Sequence, residues 1–224
     1  RRVLEAKEWS GVHQKAPVEL THVRQVFRRP DHLALATAIF EASVTLLKDR
    51  DLPLSPKGKA CLIATRGAEE DATLTDMDQT AENSRDVFFD GMAERLRSVT
   101  RHVLPEHPTA AEVAAAHGTT GGYETVVLAI MPRIVCYRPQ SGSVGEGLRD
   151  LVRLIRAQGK RVVLCVFGTP YVIPGFSGLT TCLTTYSSCP GAVRAGIRVL
   201  FGDIPARGKL PVTLSERYPY GFGL

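Results

Sequence analysis

Three groups of side chains have types and spacing that could do chemistry. The first is Cys189, which sits between a Thr-rich apolar run and Pro190, just ahead of a helical pattern. A helix N-terminus lowers a thiol pKa, so Cys189 could serve as a nucleophile. Its surroundings, Ser187-Ser188-Cys189-Pro190-Gly191, lack the Gly-x-nucleophile-x-Gly elbow, and all six histidines precede it. The second group is the acidic stretch 66–79, with Glu69, Glu70, Asp71, Asp76 and Asp78. Such carboxylates could work as acid and base or hold a hard cation, although their spacing matches no calcium loop. A solvated acidic loop is the plain alternative. The third group is the stretch 132–143, with Arg133, Tyr137, Arg138 and Gln140. Tyrosine and arginine there could stack on, and hydrogen-bond to, a sugar or another polar ligand.

Other motifs are missing. There is no phosphate-binding loop, no His-Glu-x-x-His and no zinc spacing. Gly142, Gly145 and Gly147 lie close together but do not form the dinucleotide fingerprint. Neither a metal nor a cofactor is expected. None of the five cysteines forms a Cys-x-x-Cys pair, and Cys61, Cys165 and Cys182 sit in apolar runs as small buried hydrophobes would.

The elements that must position these groups alternate along the chain. Short apolar runs at 60–65, 125–131 and 161–167 read as strands, as do 102–104, 179–186 and 210–214. Helical periodicity marks 80–97, 109–116, 144–158 and 190–201. Strands alternating with helices, and apolar along their whole length, call for a parallel sheet covered on both faces. The expectation is an α/β protein, a three-layer αβα sandwich with a mainly parallel sheet of about five to six strands. Ahead of it lie helical patterns at 1–12 and 20–27, then a long helix over 31–48. That helix is apolar at Leu33, Leu35, Ile39, Phe40, Ala42, Leu46 and Leu47, and is expected to be well buried. Residues 1–30 read as a helix and linker, and 31–224 as the sandwich domain. In such a sheet ligands bind beyond the carboxyl ends of the strands, which points to the loops 66–79, 132–143, 168–178 and 187–191.

Composition excludes several classes. With 224 residues, 44% hydrophobic and 23% charged, the chain is neither disordered nor fibrous. No run approaches the ~18 apolar residues of a membrane span. The net charge of +5 comes from 28 basic and 23 acidic residues, and most of the basic ones are arginine. The basic residues form no stripe with interleaved aromatics, so nucleic acid is not an expected partner. A helix at the first residue and no leader pattern suggest a piece of something longer.

The last third carries a recognisable combination. Residues 192–203 read AVRAGIRVLFGD; Pro205-Ala206-Arg207-Gly208-Lys209-Leu210-Pro211-Val212 follows, then Tyr218-Pro219-Tyr220-Gly221-Phe222-Gly223-Leu224. This resembles the end of the C-terminal domain of family 3 glycoside hydrolases. Residues 42–48 (ASVTLLK) with Leu52-Pro53-Leu54, and Phe167-Gly168-Thr169-Pro170-Tyr171, are similar to further segments of that domain. Residues 1–12 resemble the helix that follows the family's catalytic barrel.

The resemblance implies a partner, an N-terminal (β/α)8 barrel that carries the aspartate nucleophile, and a carbohydrate substrate. In the β-glucosidase branch the C-terminal domain lends a Glu acid/base; 132–143 holds no acidic residue, leaving Glu146 and Glu69 as weak alternatives. In the β-N-acetylglucosaminidase (β-hexosaminidase) branch the domain lends none, and this chain is closer to that branch. The implied role is an accessory domain, inactive alone, that packs on the barrel and shapes the sugar cleft with Arg133, Tyr137, Arg138 and Tyr171. A free-standing small-ligand binding protein and a hydrolase using Cys189 remain open alternatives.

Overall fold

The computed structural model describes residues 1–15, 19–27, 29–66, 83–132 and 142–224. These form two compact units, Arg1–Ala36 and Thr37–Leu224. The first contains helix α1 (Arg2–Trp9), a 3-10 turn at Val12–Gln14, helix α2 (Leu20–Val26) and the start of α3 (Pro30–Ser43). Neither α1 nor the 3-10 turn buries a residue, and Trp9 is 90% exposed.

The second unit is a six-stranded sheet between helices. Its strands are β1 (Thr45–Lys48), β2 (Lys59–Thr65), β3 (Ser98–Leu104), β4 (Thr125–Ile130), β5 (Arg161–Val166) and β6 (Thr181–Thr184). They lie in the order β1-β6-β5-β4-β2-β3. All neighbours are parallel except β1, which runs antiparallel along β6. Helices α4 (Ser84–Ala93) and α7 (Pro190–Leu200) pack against each other, as do α5 (Ala110–Thr119) and α6 (Glu146–Ala157).

Side-chain alternation explains the two cores. Successive strand residues point to opposite faces, so Leu62, Ala64, Val127, Val163 and Cys165 pack with Phe88, Met92 and Val193 of α4 and α7. Their sequence neighbours Ile63, Val126, Leu128, Val162 and Leu164 pack with Leu148, Leu151 and Ile155 of α6. Every residue of β4 is buried. This is why the central strands read as unbroken apolar runs.

Several boundaries differ from the sequence reading. The long helix expected over 31–48 stops at Ser43, and Thr45–Lys48 is strand β1. Pairing with β6 along the sheet edge outweighs the local helical pattern, and the Val44-Thr45 step favours extended backbone. Nor is α3 well buried: none of its residues is, and Leu33, Leu35 and Ile39 are exposed. Only Phe40 leans on the core, closely enough that a Cβ at Gly191 would meet its ring at 2.6 Å. The run 210–214 is not a strand. Leu210 is buried, but its amide donates to the Phe222 carbonyl and its carbonyl accepts from Gly221 in a folded-back terminal segment. β3 is seven residues long rather than three, because it pairs along the full length of β2. α5 runs through Gly118 to Thr119.

Candidate functional site

Strand order selects one place on the sheet. From β2 the chain moves outward to β3, then crosses back over β2 to β4 and continues through β5 to β6. The connections leaving β2 and β4 therefore diverge beyond the carboxyl ends of these two strands. Ligands of doubly wound sheets bind at such a switch point. The segments leaving it are the two that carry the acidic and the Tyr/Arg candidates, 67–82 and 133–141.

The described strand ends at this switch point are tightly stapled. The Thr65 hydroxyl, buried at the end of β2, accepts from the Met131 amide at 2.9 Å. The amide of Phe167 donates to the Ile130 carbonyl at 2.8 Å, carrying the β4–β5 ladder one residue past the strands. Gly168 then turns the chain with φ 142°, and a Cβ there would stand 2.6 Å from the Pro132 carbonyl oxygen. Only glycine combines that backbone with that approach. At β6 the chain turns at Tyr186, with φ 60° and its hydroxyl 2.6 Å from that of Thr45. Burial pushes the Tyr186 phenol up in pKa, and the hydrogen bond to Thr45 partly offsets it.

The candidates fall differently around this edge. Tyr171 lies on a 3-10 helix (Pro170–Gly175) directly after β5. Val172 and Ile173 are buried and Phe176 packs beside them, while Tyr171 is 62% exposed. An aromatic ring presented outward from an anchored turn can stack on a ligand. Arg133, Tyr137, Arg138 and Glu69 lie outside the described residues.

Glu146 opens α6. Its carboxylate is exposed and accepts from Arg149 at 2.8 Å and Arg153 at 2.7 Å. The Arg149 hydrogen bond, then that of Arg153, holds the carboxyl below its ordinary range. A general acid needs a raised pKa, so Glu146 is tuned the wrong way for one. The nearby glycines have a packing role: a Cβ at Gly147 would stand 2.7 Å from the Pro108 carbonyl oxygen.

Cys189 is the N-cap residue of α7 and is half-buried. The Ser187 hydroxyl donates to its sulfur at 3.0 Å, and its own amide donates to the Ser187 oxygen at 3.2 Å. Among the described residues no imidazole or carboxylate is hydrogen-bonded to the thiol, and a nucleophile–base pair needs such a partner. Cys165 and Cys182 are fully buried; burial pushes Cys182 up to about 12 and Cys165 higher still, as inert core thiols behave. No group of three metal-ligating side chains occurs among the described residues.

Sequence reasoning missed Thr65, Gly168 and Tyr186. Thr65 had a signal, a hydroxyl closing an apolar strand. The roles of Gly168 and Tyr186 depend on contacts with Pro132 and Thr45, which are remote in sequence.

No protein-family model matches the chain, and no curated protein sequence does. Solved structures match well. A glycoside hydrolase family 3 β-N-acetylglucosaminidase from Paenibacillus sp. str. FPU-7 superposes with TM-score 0.70 and 21% identity over 96% of this chain. The chain has the fold of a family 3 glycoside hydrolase domain. A β-glucoside phosphorylase, BglX, superposes with TM-score 0.66 and 19% identity over 95% of the chain. A β-glucosidase from Listeria innocua in complex with glucose gives 0.61 and 18% over 88%. The chain spans 38%, 37% and 34% of these three proteins, so it corresponds to one part of each longer polypeptide.

Proposed function

We propose that this chain is the accessory αβα domain of a family 3 glycoside hydrolase of the β-N-acetylglucosaminidase type. It packs on a (β/α)8 catalytic barrel and forms one wall of a carbohydrate-binding cleft. The observation that carries the reading is the superposition on the Paenibacillus β-N-acetylglucosaminidase, which takes in 96% of this chain but 38% of that one. The carboxylate chemistry agrees with it. Retaining glycoside hydrolysis needs two carboxyl groups about 5–5.5 Å apart, one of them a proton donor. Glu146, the described candidate, is held ionised by two arginines. The domain then supplies shape and contacts, and the barrel supplies the reacting groups.

Tyr171 is assigned to the cleft wall on its exposure at the carboxyl end of β5. Arg133, Tyr137 and Arg138 are assigned to it because they follow β4 at the switch point.

The test is hydrolysis of 4-nitrophenyl N-acetyl-β-glucosaminide and 4-nitrophenyl β-glucoside by this chain alone and by the product of the full gene. Turnover of the N-acetylglucosaminide only by the full product is expected. Turnover by the isolated chain would overturn the reading, because both carboxyl groups would then have to be here.

A further inference from the structure

At the amino-terminal end of the sheet the chain has a gap to cross. β1 runs antiparallel to β6 and, past a bulge at Leu47, ends at Lys48 beside the start of β6. The next strand, β2, lies beyond β6, β5 and β4. Residues 49–58 make the crossing and are fixed along it. The Asp49 carboxylate accepts from the amides of Asp51 at 3.1 Å and Leu52 at 3.0 Å. The Thr181 hydroxyl donates to the Asp51 carboxylate at 3.3 Å, and the Leu54 amide donates to the Leu200 carbonyl at 2.8 Å.

Between this segment and the strand ends lies a cavity of about 400 Å³, within the roughly 300–1,000 Å³ of small-molecule sites. Leu54, Ala60 and Leu96, all buried, give it an apolar part. Thr125 is the cross-strand partner of Ala60 on one side and of Arg161 on the other, so the three side chains share a face. Thr125 is 5% exposed, and among the described residues its hydroxyl has no hydrogen-bond partner. That oxygen is not sealed off, so it opens on the cavity that Thr125 lines. Burial without a partner is unfavourable for a hydroxyl, and a ligand would supply one.

The same cavity is lined by the Asp51 carboxylate and the Arg161 guanidinium, and Lys59 and Glu124 add one further charge of each sign at its exposed rim. Among the described residues none of the four is in an ion pair. Opposite charges that line one cavity without meeting complement a ligand that carries both. We propose that this cavity binds a small zwitterion, an α-amino acid with an apolar side chain. Arg161 pairs with its carboxylate, for which a guanidinium has the matching geometry. The Thr125 hydroxyl donates to the same carboxylate, Asp51 accepts from the ammonium, and the side chain lies on Leu54 and Leu96.

The experiment is calorimetric titration and thermal unfolding of the full chain with L-leucine, with isoamylamine, which lacks the carboxylate, and with 4-methylvalerate, which lacks the ammonium. Saturable binding of leucine with a rise in Tm is expected, and binding of either analogue at least about tenfold weaker. Arg161→Gln should weaken leucine about tenfold, the worth of one charged hydrogen bond. Thr125→Val keeps the shape and removes only a hydroxyl without a partner. It should leave the ligand-free Tm no lower and still weaken leucine, whereas a hydroxyl with a purely structural role would lower that Tm. Arg207→Gln, an exposed arginine outside the cavity, should change neither quantity. No saturation with leucine, equal binding of either analogue, or parent affinity in Arg161→Gln would overturn the site. So would tighter binding of N-acetylglucosamine than of leucine, which would make it a site for a neutral sugar.

Discussion

At the residue scale, geometry separates candidates that composition leaves equal. Glu146 and Tyr171 both lie near the carboxyl end of the sheet, but one is neutralised by arginines and the other is presented on an anchored turn. Glu146→Gln is therefore expected to leave kcat of the full enzyme within about twofold, since no proton-transfer step of about 10²–10⁴-fold would be lost. Azide should rescue nothing in Glu146→Ala. Tyr171→Ala should raise KM with little change in kcat, as the loss of a contact made equally to substrate and transition state does. Gly168→Ala tests the turn after β5. At φ 142°, with the Pro132 oxygen 2.6 Å from the new Cβ, it should cost about 1–3 kcal/mol in denaturant titration. An unchanged midpoint would mean that the Pro132 turn yields freely.

At the element scale, ends and edges decide the outcome. Thr109 caps α5: its hydroxyl accepts from the Glu112 amide, and the Glu112 carboxylate accepts from the Thr109 amide at 2.7 Å. The backbone bond, then the side-chain bond from Thr109, lowers the Glu112 pKa. A depressed folded-state pKa stabilises above the unfolded carboxyl pKa of about 4.3, and that stability is lost as pH falls through the folded value. Thr109→Ala should cost about 1 kcal/mol at neutral pH and flatten the acid limb of a Tm–pH profile. The C-terminal segment covers the open side of β1, with Gly208 donating to the Val44 carbonyl and Leu224 to that of Leu46. Exposed edges invite pairing with other chains. Deleting residues 219–224 should shift size-exclusion profiles toward oligomers and speed hydrogen exchange along β1. The strand–helix alternation from β2 to α7 was legible in the sequence, because a fully covered parallel strand is apolar throughout and a helix repeats at its own period. β1 was not legible: Thr45–Lys48 is continuous with a helical pattern, and only β6 makes it a strand.

At the scale of the whole molecule, the exposed apolar side chains of α3, expected to be buried, are the largest departure from the sequence reading, and those of α1 are exposed too. Trp9 is the single tryptophan and is 90% exposed. Its emission from the isolated chain should sit at the water-exposed limit and be fully quenchable by acrylamide; in the full gene product it should shift to the blue if this face meets the barrel. The amino-acid sequence by itself determined the αβα architecture, the near-complete set of helices and the shared fold, because periodicity and strand covering are local consequences of which faces are buried. It also placed Tyr171, Glu146 and Cys189 beside the strand ends. Tertiary structure alone decided the switch point between β2 and β4, the bulge at Leu47, the neutralising of Glu146 and the pairing of Thr65 with Met131. These depend on strand order, register and a bulge, which bring together residues far apart in the chain, and no window of sequence contains both partners.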